Sequence, residues 1–537
     1  MCSTDFVSKA SSIIQFTFHQ LQKEICTHEM DAVTITLALG AVFFILFYAK
    51  KCQKAKNFPP GPPCLPFVDS MPFIPMKVWW TAETPLSDYL NDNYGDVAGL
   101  HGNFPVIFIS DADILKRVFK MEEFSARPQA KPFQKARYGD EDGKSRGLLF
   151  STGTEWKEQR RFTMRSLKDM GFGKTSMEDS INIEVEKLVN LLKKEHQGKP
   201  VSLNSVMNLS IVNALWVLLV GETLPLNDPK LLKIVAAVDQ FIRQRSMKNS
   251  LWARLGTWAV EKYDPIYRQF ISVTNEIKDM VIPYIKEHQT QQEETAGESA
   301  DYISEYLREI KKNSGDASSS FHGTRGEESL VSSMLDLFLA GTETTTSSLM
   351  WGILFLLHHP EVQDNVHQEL DRVLGDKKMV AYEERTLLPY TCAVINEIHR
   401  HASIVRVALP HSMSKDITVE GYTFPKGTIV FGNLIRIHHD KRYWSHPDTF
   451  DPERFYDREK SVCTTNVNLM PFSVGKRYCL GQSLAEKEFF MFFVGLLKAF
   501  KFTPSKEDGL PDCGYHSGGH RGTIRFPPIY KVVLESR

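Results

Sequence analysis

The sequence predicts one large, mainly helical domain with a small β-sheet at its edge, carried on a single N-terminal transmembrane helix. Three observations carry that expectation. Of 537 residues, 42% are hydrophobic, 24% charged and 11% aromatic, which excludes a disordered chain, a collagen-like fibre and a multi-span membrane protein. From Cys64 onward the apolar spacing is mostly helical, with strand-like stretches confined to Pro105–Ser110 and Ile404–Val430. One run near the N-terminus, residues 32–49, holds no charge at all.

That run, AVTITLALGAVFFILFYA, is 18 residues long and as a helix spans about 27 Å, near the lower limit for crossing a bilayer. A buried core helix is the competing reading. The flanks favour the membrane: Lys50, Lys51, Lys54 and Lys56 follow it, whereas Asp5, Glu24, Glu29 and Asp31 precede it. Basic residues remain on the cytosolic side, so residues 1–31 are expected in the lumen and the body in the cytosol. Residues 50–63 then form a basic, proline-rich linker ending in PPGPP, a semi-rigid spacer because proline fixes φ. Residues 64–537 are expected to form the globular domain.

Lys+Arg 64 against Asp+Glu 65 leaves a net charge of −1, so no global field draws the protein to nucleic acid. Eight cysteines lie at 2, 26, 52, 64, 392, 463, 479 and 513, none in a C-x-x-C pair, which excludes a disulfide-built scaffold and covalent c-type haem attachment. Two polar runs, Gln289–Ser299 and Asn313–Glu328, read as surface loops around the helix-spaced segment 301–312. Leu330–His358 reads as a long proline-free helix, and Ser483–Phe500 as another.

The chemistry-bearing stretch is Phe472-Ser473-Val474-Gly475-Lys476-Arg477-Tyr478-Cys479-Leu480-Gly481. A lone buried cysteine is ordinarily a small apolar residue. Here two glycines permit a tight loop, Arg477 supplies positive charge, and the N-terminus of the next helix favours an anion. Together these stabilise a thiolate, the axial ligand with which an iron porphyrin splits O–O bonds.

FSVGKRYCLG matches F-x-x-G-x-R-x-C-x-G at all five fixed positions, and in this the sequence resembles the cytochrome P450 superfamily, most closely its microsomal family-2-type enzymes. The resemblance runs from the PPGPP spacer to the C-terminus and implies the cytochrome P450 fold. It implies haem b as cofactor, with Cys479 as the iron ligand and Phe472 and Gly475 shaping the loop. It implies further that Trp156 and Arg160 (W-x-x-x-R), Arg127 (FSARP), His411 (ALPH) and Arg477 hold the two haem propionates. Ala340-Gly341-Thr342-Glu343-Thr344-Thr345 matches the family's distal motif, in which Glu343 and Thr344 relay protons from a locally loosened helix. The competing reading of this motif is threonines bonded to their own preceding carbonyls. Glu397-x-x-Arg400 with Arg454 of PERF matches a structural ion network.

The same resemblance implies a monooxygenase that hydroxylates or epoxidises a fatty acid, steroid, hormone precursor or xenobiotic, using O₂ and NADPH. Electrons would come from NADPH–cytochrome P450 reductase, with cytochrome b5 as a second donor, since no G-x-G-x-x-G follows a strand here. The basic segment Lys157–Lys174, with six basic and two acidic residues, would face that partner. The expected location is the endoplasmic reticulum membrane, single-pass. A reductase-independent hydroperoxide isomerase and a haem-based sensor or electron carrier are the alternatives; the Glu343-Thr344 pair disfavours a carrier. Substrate-facing segments would be 130–150, Ile234–Ile242, Met334–Gly341, Val405–Leu409 and Cys513–Gly519, with Trp252, Leu255 and Trp258 near the membrane.

Overall fold

The computed structural model describes residues 36, 39, 40, 55–65, 69–80, 85–102, 105–139, 143–170, 175–225, 229–243, 257–294, 301–377, 379–506, 509–518 and 524–537. Residues 1–31, all but three of the expected anchor 32–49, residues 50–54, and Trp252 and Leu255 lie outside this set. Among the described residues no helix is long and apolar enough to cross a membrane. The chain divides into two compact units, Met1–Phe108 with Lys415–Val430, and Ile109–Ser414 with Phe431–Arg537.

In the first unit, helix α1 (Leu86–Tyr94) leads into strand Val97–Leu100. Ile417–Val419 and Tyr422–Phe424 form an antiparallel hairpin. The proline-rich segment is docked here: Gly99 N–H donates to the Pro60 carbonyl at 2.8 Å. Phe58 is buried with its ring edge-on to His101, centroids 5.4 Å apart.

The second unit is built from helices. Its first part contains α2 (Ala112–Lys120), α3 (Lys131–Ala136), α4 (Gly153–Asp169), α5 (Thr175–Glu195) and α6 (Asn204–Val220). Then come α7 (Pro265–Glu294), α8 (Tyr302–Lys312), α9 (Gly323–His358), α10 (Pro360–Leu374), α11 (Pro389–Ala402) and α12 (Gln482–Ala499). At 36 residues α9 is about 54 Å long and is the axis of the unit, packing against α6, α7, α8, α10, α11 and α12. Helix α6 is apolar almost all round and accordingly buried on nearly every side. It approaches α9 closely at Gly341, where a Cβ would come within 2.5 Å of the Leu215 side chain. A small antiparallel sheet sets Val532–Ser536 between Phe500–Pro504 and Pro200–Val201. The mainly helical class with small sheets is therefore observed.

Two boundaries differ from the sequence reading. Gln289–Glu294, expected in a loop, completes α7, because Gln and Glu propagate a helix well. Gly323–Glu328, also expected in a loop, forms the first turns of α9, so that helix starts earlier than residue 330. The loop between α8 and α9 is correspondingly shorter.

Candidate active site

The loop before α12 is pinned at both ends. Cys479 N–H donates to the Phe472 carbonyl at 2.9 Å, and Gly475–Arg477 makes one 3₁₀ turn. Gly475 has φ +80°, and a Cβ there would stand 2.1 Å from the Phe119 carbonyl oxygen, so α2 and the loop meet only through glycine. The Phe472 ring lies 5.9 Å from His399. Burial pushes the Cys479 thiol up, and the Gly481 N–H and the Arg160 charge oppose that rise. The start of α12, three residues on, adds its dipole in the same sense.

Around this loop the expected anion-holding residues converge. Arg477 donates to the carbonyls of Ser125 (2.8 Å), Leu148 (3.2 Å) and Ser151 (2.6 Å). Arg127 donates to those of Leu149 (3.1 Å), Leu409 (3.0 Å) and Pro410 (2.8 Å). Arg160 donates to the Tyr478 carbonyl at 2.7 Å. Carbonyls orient a guanidinium but do not neutralise it. Burial, together with repulsion from Arg127 and Arg160, therefore lowers Arg477 to about 8, and burial with repulsion from Arg160 lowers Arg127 to about 10. Trp156 lies between two of these cations, its ring 3.8 Å from the Arg477 guanidinium and 6.0 Å from that of Arg160. His411 stacks on Phe119 at 3.9 Å, with Nδ1 2.6 Å from the Phe124 carbonyl. Burial and the charges of Arg127 and Arg477 push its pKa far down, so the ring is neutral. A buried arginine cluster bonded to carbonyls rather than carboxylates, beside a cysteine, fits an iron porphyrin carrying two propionates.

The distal motif is arranged differently from the expectation. Thr342, Thr344, Thr346 and Ser348 each donate to the carbonyl four residues back, at 2.5, 2.9, 3.2 and 2.9 Å. Helix α9 runs through the motif without interruption, so the expected loosening is absent. Gly341 serves the packing of Leu215 instead. Glu343 is fully buried against α6, where Asn208 donates to its Oε1 and accepts from Thr346 at 3.2 Å. Thr344 is half-buried and points about 100° away, as successive helical residues must. Glu343 is thus held by α6, whereas Thr344 bonds within α9.

One acid was not anticipated. Glu488 on α12 is buried, accepts a hydrogen bond from Thr345 at 3.4 Å, and has Oε1 without a partner among the described residues. Burial pushes its carboxyl up to about 8, so it is protonated at neutral pH. Its signal was an acid inside the apolar run Leu484–Leu497.

The expected ion network is present in full. Arg400 forks onto Glu397 with two contacts of 2.7 Å, both side chains completely buried. Arg454 adds a third contact at 3.3 Å and the Asp451 N–H a fourth at 2.8 Å. The remaining Arg400 donors go to the carbonyls of His438, Pro447 and Thr449. The network thus staples the 438–454 segment to α11.

Residues 59–521 match the family model described as Cytochrome P450. Cytochrome P450 2J1 of Oryctolagus cuniculus is 34% identical over 480 residues, covering 88% of this chain and 92% of that protein. Cytochrome P450 2J2 of Homo sapiens is 32% identical over 480 residues with the same coverage. Cytochrome P450 2B19 of Mus musculus is 32% identical over 517 residues, 94% of this chain and 99% of that one. The chain belongs to the cytochrome P450 family, as an oxidoreductase of the monooxygenase type.

Proposed function

We propose that the chain is a haem-thiolate monooxygenase that hydroxylates or epoxidises a lipophilic organic substrate with electrons drawn from NADPH through a separate reductase. The balance is substrate, O₂, NADPH and one proton giving oxygenated substrate, water and NADP⁺. The observation that carries the reading is the buried arginine cluster beside Cys479. When bound, haem b supplies the dioxygen chemistry. Cys479 would ligate its iron, and Arg127, Trp156, Arg160, His411 and Arg477 would hold its propionates. Phe472 and Gly475 keep the loop in shape. Thr344 is assigned to proton delivery; Glu343, clamped by Asn208, to positioning α9. Glu397, Arg400 and Arg454 are structural.

Helix α4 supports an acidic electron donor, since Arg161 and Lys168 are exposed on it. NADPH–cytochrome P450 reductase, with cytochrome b5 as a second donor, is the partner assigned. The endoplasmic reticulum membrane is the location assigned, through residues 32–49, with the N-terminus lumenal. Trp258, 63% exposed and 5.6 Å from the Lys262 ammonium, suits the lipid–water boundary.

The test is spectroscopic. Reduced full-length protein under carbon monoxide is expected to show the red-shifted absorption of a thiolate ligand, lost in Cys479→Ala. A spectrum typical of histidine ligation in intact native protein refutes the reading. Oxygenated product that forms without reductase or NADPH refutes the electron route.

A further inference from the structure

Glu122 opens the one-turn helix Glu122–Phe124 that follows α2. Its carboxylate is shared between two ammonium groups from distant parts of the chain. Oε1 lies 2.7 Å from Lys157 Nζ on α4, and Oε2 lies 2.6 Å from Lys476 Nζ in the cysteine loop. The Ser125 hydroxyl adds a weaker contact to Oε1 at 3.4 Å. The two lysines hold the Glu122 carboxyl down to about 2, so it is ionised at neutral pH. All three side chains stand in water: Glu122 is 46% exposed, Lys157 47% and Lys476 41%. Exposed pairs of this kind contribute little to stability and open readily, whereas the Glu397–Arg400 pair is sealed from solvent.

Lys157 heads a stripe on α4. Arg161, Met164, Arg165 and Lys168 follow at i+3 and i+4 spacing, all exposed, which places them on one face of the helix. A second acid of the chain also meets this stripe: Glu309 lies 3.4 Å from Arg165. That carboxylate is only 17% exposed and is held further by Asn313 and Lys312, so it is fixed in place. Glu122 is the displaceable one of the two. Seated, it cancels one of the two lysine charges; displaced, it leaves both to whatever takes its place. The cysteine loop keeps its shape in either case, because Arg477 stays bonded to the carbonyls of Ser125, Leu148 and Ser151.

We propose that Glu122 holds the place of a partner carboxylate: an acidic electron donor docks by displacing Glu122 from Lys157 and Lys476 and seating a carboxylate of its own between them. The inference rests on the reading of an acidic donor at α4 and deepens it by naming the contact point and the residue that guards it. Arg161 and Lys168 supply the surrounding field. The Lys157–Lys476 notch fixes the register, because Lys476 belongs to the loop that carries Cys479. The internal carboxylate also makes docking selective. A diffuse negative surface does not offset the loss of both pairs, whereas a carboxylate placed between the two lysines does.

Surface plasmon resonance of oxidised NADPH–cytochrome P450 reductase on the full-length holoenzyme, in detergent and without NADPH, tests this at about 0.05 M and about 0.5 M salt. Variants are compared as protein that gives the native carbon monoxide spectrum, which separates docking from folding. Glu122→Gln is expected to tighten binding about fivefold at low salt and by much less at high salt, where such charges are screened. Asp371→Asn makes the same one-unit change of net charge at the Arg537 pair on α10 and is expected to leave affinity unchanged. In the Lys157→Gln/Lys476→Gln background, Glu122→Gln is expected to change nothing, because the lysines through which it acts are gone. Equal affinity of Glu122→Gln and native protein overturns the proposal. So does a gain that Asp371→Asn matches, or one that survives the loss of both lysines. Salt-dependent binding of native protein with no effect of Glu122→Gln removes this inference alone, whereas native protein that binds the reductase at neither salt concentration removes the donor reading beneath it.

Discussion

Replacing Glu488 by Gln is expected to stabilise the protein, increasingly so as pH rises. In the unfolded chain this carboxyl loses its proton near 4.5, whereas burial in the native structure holds it to about 8. Between those values the folded state carries the extra proton, so each pH unit costs about 1.36 kcal/mol of stability from this group. The accumulated penalty is about 3 kcal/mol at pH 7 and about 5 kcal/mol above pH 8. Gln is nearly isosteric and never ionises, so Glu488→Gln removes the slope. It leaves stability unchanged below about pH 3.5, where both states are protonated. Urea unfolding followed by far-ultraviolet circular dichroism at pH 5, 6, 7 and 8 measures the difference. Native and variant curves that run parallel across this range refute the argument, because they place the Glu488 carboxylate in a polar or hydrated setting.

Further substitutions probe the site. Glu397→Gln removes the counter-charge from two buried arginines and is expected to cost about 3–5 kcal/mol of unfolding free energy, read from the urea midpoint together with loss of bound haem. Gly475→Ala forces a Cβ to 2.1 Å from the Phe119 carbonyl and is expected to abolish haem retention. Gly481→Ala, whose Cβ would meet only the Cys479 sulfur at 3.9 Å, is expected to retain haem, measured as haem per protein after gel filtration. Thr344→Ala is expected to raise hydrogen peroxide release relative to product severalfold, with Ser348→Ala as the unaffected control; unchanged coupling removes Thr344 from proton delivery.

The parts of the site legible from sequence were those encoded in short local patterns. Cys479 with its glycines, Glu397 with Arg400, and Trp156 with Arg160 each sit within one loop or one helical turn, so spacing alone set their geometry. The direction in which Glu343 points was not legible, because it depends on Asn208 presented by α6, 135 residues earlier. Nor was the Glu122–Lys476 pair, whose members are 354 residues apart and lie in stretches dominated by other signals. Glu488 was hidden by its surroundings, since an acid at helical spacing in an apolar run is ordinarily assigned to a solvated face. The misplaced ends at 289–294 and 323–328 share one cause: polar composition was read as loop where tertiary contacts and good helix formers extend the helix.

The three hydrogen bonds of Arg477 span 352, 329 and 326 residues of sequence. Contacts of that range form late, after the intervening chain has closed on itself. On the ribosome, Arg127 and Trp156 therefore emerge long before the cysteine loop that completes their enclosure, and must wait for nearly the whole polypeptide. On the proposed reading, cofactor capture belongs to the end of translation, and a premature stop anywhere before residue 479 removes the proposed iron ligand.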